Sequence, residues 1–147
     1  MPAATDPRVP GDATGSSYDD QLIAGLADER PDVAEICAWV LGQRRVARAV
    51  GPLCELLRRR PRDIAVCAAA VEALGQIGDL SAVPALLWVL EEGYAGVRRA
   101  AVRALARIDP ETARAVLARV VAEDQAAGVR ELAGRLLDTL RREDRSG

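Results

Sequence analysis

The sequence has no histidine, no lysine, no asparagine and no phenylalanine. Without histidine, neither a Ser-His nor a Cys-His nucleophile pair can be assembled. The three cysteines, Cys37, Cys54 and Cys67, lie 17 and 13 residues apart, a spacing unlike that of a zinc site, and no histidine could complete one. Their odd number and apolar neighbours point to buried, reduced thiols. No GxxxxGK[ST] or GxGxxG phosphate loop occurs. Adjacent acids such as Glu91 with Glu92, or Glu123 with Asp124, point in different directions on a helix and are expected to be solvated. The chain is therefore expected not to be an enzyme and to need no metal or cofactor.

Other shortages bear on fold and location. Aromatic residues make up only 3% while half the chain is hydrophobic, so the core has to be built from Ala, Val and Leu. Such side chains suit closely packed helices. The longest apolar runs, such as "VPALLWVL", fall far short of the roughly 20 residues that span a bilayer. The N-terminus lacks a basic region followed by an apolar block. A soluble, cytoplasmic protein of one domain is expected, with no membrane contact. All 20 basic residues are Arg and the net charge is −2. A GC-rich, bacterial genome is the expected source of the arginine, and the balance gives no global attraction to nucleic acid.

What the sequence does have is internal repetition. Val33, Val66, Val97 and Val129 begin four copies of one pattern, spaced by 33, 31 and 32 residues. Four positions on stand Cys37, Ala70, Ala101 and Ala133, and eight on stand Leu41, Leu74, Leu105 and Leu137. Eleven on stand Arg44, Ile77, Ile108 and Leu140. Offsets of 0, 4, 8 and 11 trace one face of an α-helix. A second helix follows each of the first three copies: "AVGPLCELL" from Ala49, "AVPALLWVL" from Ala82 and "ARAVLARVV" from Ala113. Asp63 and the Asp109-Pro110 pair are placed to start helices, and Gly78 and Gly93 to stop them. Gly42 and Gly75 share one column near the end of the first helix. A glycine there costs roughly 1 kcal/mol of helix stability relative to Ala, so its repetition predicts a close helix–helix approach.

The expected fold is all-α, a short α-solenoid of about four helical repeats with an N-terminal capping helix. The expected organisation is a flexible arm at 1–16, a capping helix at 17–30 and a repeat domain at 31–143, leaving a frayed tail at 144–147. The repeats themselves fall at about 31–62, 63–93, 94–125 and 126–143. Ser17 and Asp20 stand in capping-box spacing, and Leu22, Ile23 and Leu26 share one side of the capping helix.

The segment "AAVEALGQIGDLSAVPALLWVLEEGYAGVRRAAVRALARID", residues 69–109, resembles the short HEAT-like repeats of the phycobilin-lyase type. The likeness rests on "LGQIGDLSAVPALL" and "VRRAAVRAL" and extends over roughly residues 32–143. It implies a right-handed superhelix whose second helices line a concave face used mostly to bind other proteins. Iron-binding hydroxylases of this repeat class use His-Glu motifs, which this chain cannot supply. No lyase-specific residue is evident. A HEAT-like DNA glycosylase class relies on a basic groove with aromatic residues, both scarce here.

The exposed columns supply the candidate contacts. Opposite the core of the first helices, Arg99, Arg103 and Arg107 form a stripe flanked by Glu72 and Glu131, which predicts cross-repeat ion pairs, or a docking site for an acidic partner. Trp39 shares a column with Glu72 and Arg103, which says outer face; cover by the capping helix is the favoured reading and an exposed contact the competing one. Trp88 shares a column with Glu55 and Arg119, which predicts partial exposure and a contact role; filling a gap beside Tyr94 is the competing reading. The first of the second helices ends in Arg58, Arg59 and Arg60, whereas the later ones end in Glu91 with Glu92 and Glu123 with Asp124. A charge gradient along one rim would orient a partner. The resulting expectation is a protein-binding scaffold or adaptor, monomeric or weakly self-associating. Its expected contacts are Trp88, Tyr94, Glu55, Glu92 and Arg58, with the Arg99, Arg103 and Arg107 stripe in addition. A nucleic-acid module using the Arg clusters and an accessory subunit of a lyase-type enzyme are the alternatives.

Overall fold

The structure, a computed structural model, describes residues 11–146. Among these, every regular element is helical: α1 (Gly11–Gly25), α2 (Pro31–Arg44), α3 (Val50–Arg59), α4 (Ile64–Ile77), α5 (Val83–Glu92), α6 (Ala95–Ile108), α7 (Pro110–Glu123) and α8 (Ala127–Ser146). Short 3-10 turns, Ala47–Ala49 and Leu80–Ala82, lead into α3 and α5.

The helix boundaries follow from local chemistry. Asp63 accepts a hydrogen bond from the Val66 N–H and opens α4. Asp109 accepts from the N–H and the hydroxyl of Thr112, with Pro110 beginning α7. Each such cap is worth about 1 kcal/mol. Gly78 closes α4 at φ 78°, a left-handed conformation that only glycine adopts without cost. Its repeat-mate Arg45 closes α2 in the same conformation, at φ 52°. Gly93 stops α5 differently, in an extended conformation.

The helices form two layers. α2, α4, α6 and α8 lie side by side in the first; α3, α5 and α7 lie over them, each of α3 and α5 against the first helix of the following unit. One continuous apolar cluster runs between the layers. Leu41, Leu74 and Leu105 from the first layer meet Leu53, Leu56, Leu86, Val89 and Leu117 from the second, all buried. Burial of each such side chain contributes roughly 1.5–3 kcal/mol. This is a short α-solenoid.

Spacing within the two layers differs. In the first, Gly42 sits against Ala73 so closely that an added Cβ would stand 2.7 Å from the Ala73 Cα. At Gly75 the same atom would stand 3.2 Å from the Ala104 Cα. The shared glycine column is thus a point of backbone approach. The third position of that column is Ala106, and α6 and α8 are correspondingly less closely packed. The second helices barely touch one another and leave open ground between them.

The two ends differ from the sequence-based expectation. The expected arm at 1–16 falls on residues 1–10, which lie outside the described residues, and on 11–16, which begin α1. Ser17 is therefore inside a helix rather than capping one, and Asp20 pairs with Arg48 at 2.8 Å instead of closing a capping box. At the other end α8 continues to Ser146, where a frayed tail was expected from 144; Gly147 lies outside the described residues. Arg114 of α7 holds Asp144 at 2.5 Å and ties that last turn down.

Candidate functional site

Every junction between a second helix and the next first helix is sealed in the same way. The carbonyl of the residue that caps the C-terminus of α3, Arg60, accepts from the Cys67 thiol at 3.0 Å. The cap carbonyl of α5, at Gly93, accepts from the Arg98 guanidinium at 2.7 Å. That of α7, at Asp124, accepts from Arg130 at 2.7 Å. Cys67, Arg98 and Arg130 occupy one column, one residue after the repeat valine. Sequence reasoning missed this column because its acceptors are backbone carbonyls, and because a thiol and a guanidinium share no pattern except that both can donate.

Arg98 does more than cap. Its guanidinium grips both carboxylate oxygens of Asp124 at 2.8 Å, and the side chains are only 17% and 8% exposed. The Asp124 carboxylate also accepts from the Ala126 N–H. These bonds, the guanidinium first, hold the Asp124 carboxyl below its usual range. The acidic pair Glu123–Asp124, expected to form part of an open charge gradient, is thus half structural. The same holds at the basic end: Arg59 donates to the Leu26 carbonyl at 3.2 Å and Arg60 to that of Asp28 at 2.6 Å. Both anchor the end of α1. Arg58 is left in solvent, as are Glu55 and Glu92 on the same layer.

The second-helix layer carries the candidate contacts Trp88 and Glu55, at matching positions of α5 and α3. Trp88 is 40% exposed. With Leu87 and Glu91 it forms one wall of a groove whose other wall is Ala115, Val116 and Arg119 of α7. Glu91 and Arg119 pair across that groove at 3.2 Å, both in solvent. Arg58 and Glu92 lie at the C-terminal ends of α3 and α5. Tyr94 stands at the N-terminal edge of α6, 47% exposed, where its carbonyl accepts the Val97 and Arg98 N–H groups. It does not line the Trp88 groove.

Arg99, Arg103 and Arg107 lie apart from these, exposed on α6 in the other layer. Arg103 approaches Glu72 of α4 at 3.7 Å, the cross-repeat pair the columns anticipate. Among the described residues Glu131 makes no ion pair, so the stripe is paired on the Glu72 side only. Trp39 also faces outward from this layer, 56% exposed, and the expected cover by Leu22, Ile23 and Leu26 does not form. α1 instead packs on the opposite side of α2, where Gly25 sits beside Cys37 and Val33. Asp19, in turn, binds Arg44 at 2.7 Å.

The three thiols are unreactive by environment. Burial pushes Cys67 up to about 11 and also raises Cys54 and Cys37, so none is a thiolate near neutrality. Among the described residues no helix is long and apolar enough to cross a membrane.

Repeated helix pairs, a continuous core between two layers and open surface on both define an α-solenoid of the kind that presents faces rather than a cavity. Two overlapping stretches, residues 20–94 and 52–138, match the family model for HEAT repeats. The chain belongs to the HEAT repeat family. No curated protein matches it.

Proposed function

We propose that the chain is a non-catalytic protein-binding scaffold or adaptor that holds its partner on the second-helix face, with Trp88 at the centre of contact. The groove between α5 and α7 carries this reading: a half-exposed tryptophan beside Leu87, Ala115 and Val116, rimmed by Glu91 and Arg119. An apolar anchor in a polar rim is the usual composition of an interface hot spot, where Trp and Arg are enriched. Glu55, Glu92 and Arg58 supply exposed charge around it, and among the described residues none of the three makes an ion pair. HEAT repeats commonly serve as protein-interaction scaffolds, which agrees with this use of the surface.

The fate of the Arg cluster also favours a protein partner over nucleic acid. Arg59 and Arg60 are engaged by backbone carbonyls, which leaves Arg58 and Arg62 of that cluster to meet phosphates. The test is capture from host lysate by wild type beside Trp88→Glu, with circular dichroism showing both folded. A protein held by wild type and weakened at least about tenfold by the substitution supports the proposal. Identical capture by both baits, or none by either, overturns it.

A further inference from the structure

The first-helix face has an organisation that the proposed scaffold role does not use. α2 presents Glu35, Ile36 and Trp39, with Ile36 61% and Trp39 56% exposed. α4 presents Ala65, Ala68 and Ala69 beside them, with Glu72 at the edge of the same shallow depression. α6 presents Arg99, Arg103 and Arg107. Across three adjacent helices the surface passes from acidic and apolar, through small, to basic. Two large apolar side chains more than half in water on one patch mark an interaction surface rather than scattered exposure.

We propose that two copies of this chain pair through this face, about a two-fold axis running along α4. In a two-fold interface one patch serves both partners, so it must complement its own rotated image. An axis along α4 lays α2 of each copy over α6 of the other. With the repeat columns in register, Glu35 then opposes Arg99, and Trp39 opposes Arg103. The first is a pairing of opposite charges; the last places a guanidinium over an indole, a favourable cation–π geometry. At the axis, α4 meets its own copy through Ala65, Ala68 and Ala69, which are small enough for close approach. Glu72, near the axis, brings its own counter-ion, Arg103 at 3.7 Å.

Other axes fit less well. One along α6 sets the arginine stripe against itself, and one between α4 and α6 pairs Glu72 with Arg103 but opposes Glu35 with Glu131. The α4 axis sets one like-charged pair together, Glu72 with its own copy, and there Arg103 stands beside each carboxylate. Electrostatic matching of this kind fixes register and excludes wrong pairings.

Sedimentation velocity of the full chain, from about 1 to 200 µM, tests the proposal, because a reversible dimer shifts with concentration by mass action. Wild type is expected to move from monomer to dimer across the series. Arg99→Glu is expected to weaken the dimer at least about tenfold, and Glu35→Arg combined with Arg99→Glu to restore it, since the pair re-forms with its signs exchanged. Both positions are exposed, and circular dichroism checks that each variant is folded. Wild type that stays monomeric throughout overturns the proposal and leaves the patch to a different partner with basic flanks. An Arg99→Glu variant that dimerises like wild type, or a double variant no better than the single, overturns it as well.

Discussion

At Gly42 a hydrogen atom stands where any other residue would place carbon into the backbone of α4. An added Cβ meets the Gln76 side-chain oxygen and the Ala73 Cα, the latter at 2.7 Å, and backbone cannot move aside as a flexible side chain can. Gly75, its repeat-mate, is less constrained, with Ala104 atoms at 3.1 and 3.2 Å. The two glycines therefore give unlike results under the same substitution. Gly42→Ala is expected to destabilise the chain by roughly 2 kcal/mol, the cost of forcing two packed helices apart. Gly75→Ala is expected to cost less than about 1 kcal/mol, because the gain in helix propensity offsets most of a milder clash. Urea unfolding of the two variants against wild type measures the difference; equal losses would show that the closeness of approach does not set the cost.

The helices themselves show what the sequence could and could not reveal. The columns of Val, Ala and Leu placed α2, α4, α6 and α8 because period and burial are one and the same property on a helix face. Gly42 and Gly75 revealed the close approach for the same reason: a costly residue repeated in register has a packing cause. Legibility failed where the deciding partner lies far away in sequence or is a backbone group. Ser17 carried a capping signature, yet α1 begins at Gly11, and the Asp19 and Asp20 carboxylates serve Arg44 and Arg48 instead. Trp39 was expected beneath the capping helix, but α1 chose the Cys37 side of α2. The Cys67, Arg98 and Arg130 column was invisible because its acceptors are carbonyls.

Arg98 of that column makes the junction of α6 with the α7–α8 turn sensitive to acid. The Asp124 carboxyl is held below its ordinary range in the folded chain, chiefly by Arg98. A lowered folded pKa adds stability above the unfolded value of about 4 and loses it as pH falls through the folded one. Asp124→Asn keeps an acceptor for the Ala126 N–H but not the charge. It is expected to lower stability near pH 7 by about 1–3 kcal/mol, with the gap from wild type closing as the pH falls below about 4. Asp28, held at about 2 by the Arg30 side chain and backbone, and Asp79 and Asp109 titrate in the same direction in both proteins. They cancel in the comparison. A gap that persists undiminished into acid would show that the Arg98–Asp124 pair contributes through shape alone.

On the scale of the whole molecule, a repeat stack is nearly one-dimensional, so its stability is a sum of unit and junction terms and can vary from end to end. The junctions here are not equivalent. α2 meets α4 at a glycine in backbone contact with Ala73, and α4 meets α6 at a glycine slightly farther from Ala104. α6, with Ala106 in the glycine's column, packs least closely on the next first helix, α8, which is held mainly by α7. The N-terminal end is further secured by α1, which buries Leu22 and Leu26 and is tied by Arg44, Arg48, Arg59 and Arg60. The C-terminal hairpin α7–α8 has the Arg98–Asp124 grip and the Arg114–Asp144 pair, and among the described residues no other helix packs on its outer side. Local opening should therefore begin at α7–α8 and move inward. Native-state hydrogen exchange is expected to find the amides of Leu41, Ala73 and Leu74 opening only with the whole molecule, and those of Leu132 to Leu140 opening at least about tenfold more often. Asp124→Asn should widen that difference by loosening the hairpin while leaving the α2–α4 contact intact. Uniform protection from α2 to α8 would mean instead that the solenoid unfolds as one unit, with the graded spacing of its first helices too small to separate the ends.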